Sequence, residues 1–256
     1  MNNLAPQFFV FIFCSLIMGF AAVSLLVAGI MIAANKLKQT KVLGISYIIT
    51  GLSSLSVFAY NALLNFTDGG KVIVFGDAVM VFTMICVFAS ALCSCIYIHK
   101  NYGLKQIYVP VLLLPFVVLL ADAGAVLLLT RTLVPDMKQA MLISLVNDVN
   151  NILTVVLIAV VIIIVLYRNR EKEKVIPDAW RVKLITVIWG IVEIIVISII
   201  YMSVIATYKT GDYGTASTNT VIFLSVVQAV DSVVTIIVPV YVLSRVRNAS
   251  KQEKAA

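Results

Sequence analysis

Five carboxylates lie inside long apolar runs of this 256-residue chain, and they are the side chains best suited to chemistry there. We expect no lysine, arginine or histidine at comparable depth to pair with them. Burying an unpaired charge in hydrocarbon costs several kcal/mol, so such acids are either protonated or reached by water or a cation. The pattern predicts a cation-binding site or a proton pathway formed by Asp77, Asp122, Asp148, Glu193 and Asp231.

Other polar residues fall on the same predicted helix faces as these acids. Residues three or four positions apart share one face of a helix, and a site between helices needs such faces turned inward. The estimated depths place all five acids in the outer half or at the centre of the membrane, which predicts a cavity that opens outward. Serines and threonines can instead join helices, at about 0.6 kcal/mol each. The further predicted ligand- or ion-binding residues are Asn147, Asn151, Gln228, Thr235 and Trp189.

The composition requires a lipid environment for the elements that hold these residues. Hydrophobic residues make up 62% of the chain and charged residues 12%, and the mean hydropathy is +1.08. A soluble domain would have too little polar surface to face water. Each apolar run is near or above the ~20 residues with which a helix crosses a bilayer. The sequence therefore predicts an all-α membrane protein with one domain over 1–256 and seven spans: 8–34, 42–64, 72–98, 107–130, 140–167, 182–207 and 220–243.

The basic residues predict the orientation of this bundle. Fifteen of the 19 lysines and arginines, Lys183 among them, fall on one predicted side. By the positive-inside rule that side is cytoplasmic, so the N-terminus is outside and the C-terminus is cytoplasmic. The basic loops either only set this topology or also bind acidic lipids or a cytoplasmic protein partner. Nothing resembles a nucleic-acid-binding domain, so besides the lipid bilayer no nucleic acid is expected as a partner.

Motifs for other activities are missing from the sequence. The only histidine is His99, at a predicted helix end, and the cysteines are all inside spans, where we expect apolar packing. No hydrolase, kinase or zinc signature is found, so we expect no enzyme activity. The sequon at Asn65, Asn-Phe-Thr, is a candidate glycosylation site in an outer segment and is typical of a multi-pass protein of the plasma membrane.

Two segments are similar to the microbial rhodopsins, which are seven-helix membrane proteins. Span seven reads QAVDSVVTIIVPVYVLSR, in which Asp231 matches the family's aspartate, and span four reads LLADAGAVLLLT, with Asp122 as its buried acid. Trp189 resembles the tryptophan that packs on retinal. The resemblance implies a seven-helix fold, but Thr235 stands where the family has its retinal-binding lysine. With no lysine expected inside the membrane, covalent retinal is excluded and no cofactor is predicted.

These observations leave three functions open. The first is a heptahelical receptor or sensor whose outward-facing acidic cavity binds a cation or a cationic small molecule and signals through the basic cytoplasmic loops. The second is a proton- or cation-coupled transporter or channel that uses the same acids. The third is a structural membrane subunit. The inner half of the bundle offers hydroxyls and thiols but no carboxylate to complete a relay, which favours the receptor.

Overall fold

The chain is a bundle of seven long helices. The computed structural model describes residues 6–35, 37, 40–66, 74–132, 137–172, 176, 178–209 and 213–255. Across these ranges the structure is nearly all helical, and seven helices are long and apolar enough to cross a membrane. The predicted all-α class is therefore confirmed, as is the prediction of seven helices long and apolar enough to cross a membrane. The helices are α1 (Pro6–Ala33), α2 (Lys41–Phe66), α3 (Val74–Tyr102), α4 (Tyr108–Thr132), α5 (Met137–Arg168), α6 (Ala179–Lys209) and α7 (Tyr213–Ala255).

The last helix is longer than the sequence predicts. The predicted span covers 220–243, whereas α7 runs for 43 residues from Tyr213 to Ala255. Hydropathy identifies only the apolar part of a helix, which is the part that can lie in the hydrocarbon core of a membrane. The polar end of α7 contains Ala, Lys, Gln and Glu, which are good helix formers, so the helix continues past the apolar stretch.

The helices form a closed ring in chain order. Each helix packs against the helices before and after it, and α7 also packs along α1. We call the end where α3 and α5 finish, at Tyr102 and Arg168, the basic end, and the opposite end the distal end. Short 3-10 helices at Lys105–Ile107 and Arg170–Lys172 lie in the connections of the basic end.

Glycines bring the backbones of α1 and α2 together. A β-carbon placed on Gly44 would lie 2.7 Å from the carbonyl oxygen of Gly29 and would also collide with the backbone nitrogen of Ala33. A β-carbon on Gly29 would lie 2.8 Å from the amide nitrogen of Ile48. The two helices therefore approach as closely as they do only because both positions lack side chains, which is a common device in membrane helix pairs.

Apolar side chains close the basic end of the ring. Ile176, from the α5–α6 connection, is only 1% exposed and packs with Ile32, Val242 and Val246. A second cluster joins the ends of α3 and α5 to the start of α4, around Ile98, Ile107, Val111, Ile162 and Leu166. The connection between α5 and α6 is thus held beneath the bundle by buried apolar contacts.

Charged and aromatic side chains surround this closed end. Asp178 lies 3.6 Å from Arg181 and 4.0 Å from Arg245 of α7, and the Arg245 Nε–H donates to the Tyr241 hydroxyl at 3.1 Å. Exposed ion pairs each contribute ~0–1 kcal/mol to stability, so these pairs orient the side chains of the basic end more than they stabilise the fold. The opposite surface of the helices, facing away from the ring, carries exposed Phe13, Phe20 and many other large apolar side chains, as contact with lipid requires.

Two prolines lie inside helices, and the helices continue through them. Pro115 is in α4 and Pro239 is in α7, while Pro110 falls in the first turn of α4, where a proline is tolerated. Because proline has no N–H, Pro239 deprives the carbonyl oxygen of Thr235, four residues earlier, of its helical donor.

Candidate functional site

A cavity of about 460 Å³ lies at the centre of the ring. This volume is in the range of small-molecule binding sites. Its described lining residues come from every helix except α4. The polar ones are Ser46, Tyr47, Thr50, Ser54, Ser90, Ser94, Asn151, Lys183, Thr186, Trp189, Glu193, Asp231 and Thr235.

Helix α6 supplies one polar face of this cavity. Lys183, Thr186, Gly190 and Glu193 follow one another at intervals of three or four residues, which places them on one side of the helix. Gly190 is needed where α6 meets α5, because a β-carbon there would collide with the Val156 side chain. The same face that lines the cavity is therefore held close to α5.

Asp231 is held on the cavity wall by a hydrogen bond from α6. The Trp189 Nε1–H donates to Asp231 Oδ1 at 3.1 Å. The Thr235 hydroxyl, one turn further along α7, lines the same cavity. Because one carboxylate oxygen accepts the Trp189 hydrogen bond, Asp231 can present its second oxygen to a ligand.

Glu193 lies between Asp231 and Asp148, close enough for its charge to interact with both. The Tyr201 hydroxyl donates to Asp148 Oδ2 at 3.0 Å. Tyr201 is twelve residues beyond Trp189 on α6, which is about 18 Å along the helix axis. The two aspartates are therefore held by donors from different turns of α6, and Glu193 lies between those donors in the sequence.

Replacing Tyr201 with phenylalanine removes the donor to Asp148 and leaves the ring in place. Buried hydrogen bonds between membrane helices contribute about 0.6 kcal/mol on average and at most ~1.7 kcal/mol, so Tyr201→Phe should lower the free energy of unfolding by an amount in that range. Unfolding of the purified protein in mixed detergent micelles measures it. Tyr167→Phe, at an exposed ring of the basic end, is the matched control and should change nothing. Equal stability of the two variants would show that the Tyr201–Asp148 bond contributes nothing.

Hydroxyl groups of α2 and α3 form the opposite wall. The Ser46 and Ser90 hydroxyl oxygens are 2.7 Å apart and link the two helices. Thr50, Ser54 and Ser94 donate their hydroxyl protons to the carbonyl oxygens of Ser46, Thr50 and Ser90 on their own helices, at 3.0–3.1 Å. Each of these three hydroxyls has only one proton, so towards the cavity it can only accept hydrogen bonds. Together with the carboxylates of α6 and α7 on the facing wall, these hydroxyls make the cavity rich in hydrogen-bond acceptors.

Exposure of the lining falls from the middle of the bundle to the basic end. Asn151 is exposed, and Val155 and Val87 are 43% and 37% exposed. The lining residues nearer the basic end, Ile162 and Val238, are 4% and 9% exposed. Below them lie the apolar clusters around Ile98 and Ile176. The cavity is therefore closed at the basic end by a hydrophobic floor.

Lys183 is a lining residue of the cavity that the sequence did not reveal. It belongs to the apolar segment Ala179–Val204, which is long enough to cross a membrane, and its half-buried side chain lines the cavity. It was expected on the cytoplasmic side because it is one of the first residues of the predicted span. A position near a span end does not reveal that its side chain turns towards the axis of the ring. Lys183 is ten residues before Glu193 on α6, about 15 Å along the helix axis, so it lies closer to the basic end than the acids do.

The structure brings together part of the predicted site. Glu193, Asp231, Asn151, Thr235 and Trp189 all line the cavity. Asp148 does not line it but joins the same group of acids through Glu193 and Tyr201. Gln228 is exposed and lies away from the cavity. The side chains of the remaining predicted residues lie outside the described part of the structure: Asp77, Asp122, Asn147 and the sequon residue Asn65.

No protein family, no curated protein and no solved structure matches this chain. The similarity to microbial rhodopsins in spans four and seven therefore has no support from a relative. What can be said of function comes from the cavity and its residues.

Proposed function

We propose that this chain is a multi-pass membrane receptor or sensor that binds an organic cation in its central cavity. Binding rather than catalysis is proposed, because the cavity offers charge and hydrogen-bond acceptors without a nucleophile–base pair. The observation that carries the proposal is the placement of Glu193 and Asp231 together with the Trp189 ring on one acceptor-rich cavity wall. Carboxylates attract a cation, and an indole face adds a cation–π contribution of about 0.5–2 kcal/mol.

The spacing of the acids favours an organic cation over a single metal ion. A bound ion needs several oxygens around one point at 2–2.6 Å, as calcium and magnesium sites show. Among the described residues, no group of three or more histidine, cysteine or acidic side chains is placed to hold a metal ion. Glu193 and Asp231 both line the cavity and can contact one organic cation together.

We further propose that the basic end faces the cytoplasm and the distal end faces outside, in the plasma membrane. The positive-inside distribution of lysines and arginines supports this orientation. In that orientation the N-terminus is outside, the C-terminus is cytoplasmic, and the closed floor of the cavity separates the ligand from the cytoplasm. The exposed Arg168, Arg170 and Arg181 then form a surface for a cytoplasmic protein partner or for acidic lipids.

Helix α7 offers a physical connection between the cavity and that surface. It carries Asp231 in the cavity wall, Val242 and Val246 in contact with Ile176, and Arg245 beside Asp178. A ligand that pulls Asp231 away from Trp189 would shift a helix that also packs on the α5–α6 connection. Such a switch requires that Asp231 make different contacts when a ligand is bound and when it is not.

Titration with hexylammonium tests the binding proposal. The chain has two tryptophans, so in a Trp180→Phe background the emission of Trp189 reports on the cavity alone. Losing a charged hydrogen-bond partner costs ~1.5–3 kcal/mol, so Glu193→Gln and Asp231→Asn should each weaken binding roughly tenfold or more. Glu171→Gln is the control, since Glu171 is exposed at the basic end, and it should bind like the parent protein. Equal affinity in all four proteins would refute a cation site between Glu193 and Asp231.

A second candidate, a proton- or cation-coupled transporter, is favoured by the succession of Asp148, Glu193 and Asp231 along the bundle. The hydrophobic floor argues against it, because a relay would have to cross that layer. In liposomes under a membrane potential, a trapped pH dye should show no flux for a receptor. Flux that disappears in Asp231→Asn would establish the transporter instead. If neither flux nor cation binding were found, the structural subunit would be the remaining account.

A further inference from the structure

Lys183 places a positive charge at the opposite end of the cavity from Glu193. The two residues are ten positions apart on the same face of α6, which is about 15 Å along the helix axis. Among the described residues, no acid lies within 4 Å of the Lys183 ammonium. The cavity therefore has an acidic part towards the distal end and a basic part next to its floor.

The walls between these two ends differ in character. Serine and threonine hydroxyls of α2 and α3 form one side. Aliphatic side chains of α5 and α7 form the other, among them Ile152, Val155 and Val234. A hydrocarbon chain can lie against the aliphatic side while groups at its two ends meet the charges.

A lone ammonium half-buried beside a hydrophobic floor is unfavourable unless something pairs with it. Removing a charge from water costs several kcal/mol, and an anionic partner with good geometry offsets that cost. Within the described structure the protein supplies no such partner, whereas the cavity leaves room for one beside Lys183.

We propose that the ligand is amphoteric: an elongated molecule with an amine at one end, bound by Glu193 and Asp231, and a carboxylate at the other, bound by Lys183. This inference rests on the proposed function and deepens it, because the cation site would be one half of a two-ended site. Selectivity then depends on the separation of the two charges as well as on their signs. A ligand too short to reach both ends gains from only one of them.

Matched six-carbon probes separate the two ends of the site. Hexylammonium carries only the amine, hexanoate only the carboxylate, and aminohexanoate, with its amine on the last carbon, carries both. Because a charge-assisted hydrogen bond is worth ~1.5–3 kcal/mol, aminohexanoate should bind the Trp180→Phe protein roughly tenfold or more tightly than hexylammonium. Shortening to aminobutanoate should remove that advantage, and lengthening to aminooctanoate should keep it.

The variant Lys183→Gln tests the assignment of the anionic end. It should bind aminohexanoate no more tightly than it binds hexylammonium, whereas Glu193→Gln should weaken the binding of both compounds. Lys172→Gln, at an exposed lysine of the basic end, is the control and should retain the preference for aminohexanoate.

The outcomes distinguish this inference from the proposed function. If the parent protein bound hexylammonium and aminohexanoate equally well, the amphoteric ligand would be overturned and the cation site would stand. If neither compound bound, both proposals would fail together. The comparison of the two compounds needs only the parent protein, so the test remains valid even if Lys183→Gln does not fold.

Discussion

Replacing Gly44 with valine is expected to separate α1 from α2 and to cause the largest loss of stability among single substitutions in the first two helices. A β-carbon at this position meets the backbone of Gly29 and Ala33 rather than a side chain that could rotate away. The clash can therefore be removed only if the two helices move apart. Overpacking typically costs ~1–3 kcal/mol, and a clash with backbone belongs at or above the upper end of that range.

Unfolding of purified protein in mixed micelles measures this loss, and Gly124→Val provides the control. A β-carbon on Gly124 in α4 has no described atom within 4 Å. That variant should stay within about 0.5 kcal/mol of the parent, as surface substitutions usually do. If Gly44→Val were as stable as Gly124→Val, the close approach of α1 and α2 would not be part of the folded protein.

Shortening Ile176 to alanine should be the second large effect, because this side chain forms part of the floor of the bundle. It is 1% exposed and packs between α1 and α7, against Ile32 and Val246. Truncating a buried isoleucine to alanine leaves a cavity and costs ~2–5 kcal/mol. The same unfolding measurement applies. Because Ile176 does not line the central cavity, any change in hexylammonium affinity in this variant would be transmitted through α7.

Ile199→Ala is the matched control for that experiment. Ile199 on α6 is 62% exposed on the outer surface of the ring, so its truncation in a micelle removes few protein contacts. A loss for Ile176→Ala no larger than for Ile199→Ala would contradict the role of Ile176 in closing the basic end. A changed hexylammonium affinity in Ile176→Ala would support the proposed connection between the cavity and the basic end through α7.

Hydropathy was sufficient to predict the seven helices, because crossing hydrocarbon demands long apolar runs and the backbone must satisfy its own hydrogen bonds there. The acids were predictable for the same reason, since their burial is costly enough to imply a role. Asp231 and Glu193 do meet in one cavity, and Trp189 joins them. The helical period was enough to place Glu193 and Trp189 near one side of α6, and Asp231 and Thr235 on one face of α7.

Contacts between helices were not predictable in the same way. Helical spacing puts Ser46 and Thr50 on one face of α2, but only the packed bundle shows that Ser90 of α3 lies opposite them. Gln228 has a spacing relative to Asp231 similar to that of Thr235, yet it is exposed. Lys183 was assigned to the cytoplasmic side by the positive-inside rule. That rule counts basic residues near span ends and carries no information on the direction of a side chain.

The closure of the ring by α7 against α1 has a consequence for how the protein is made. Helices α1 and α2 are neighbours in sequence and can pair as soon as both have been synthesised. The ring cannot close until α7 emerges, and α7 is the helix that brings Asp231 and Thr235 to the cavity. An N-terminal product of translation that ends before α7 therefore lacks the cavity wall that Asp231 and Thr235 form.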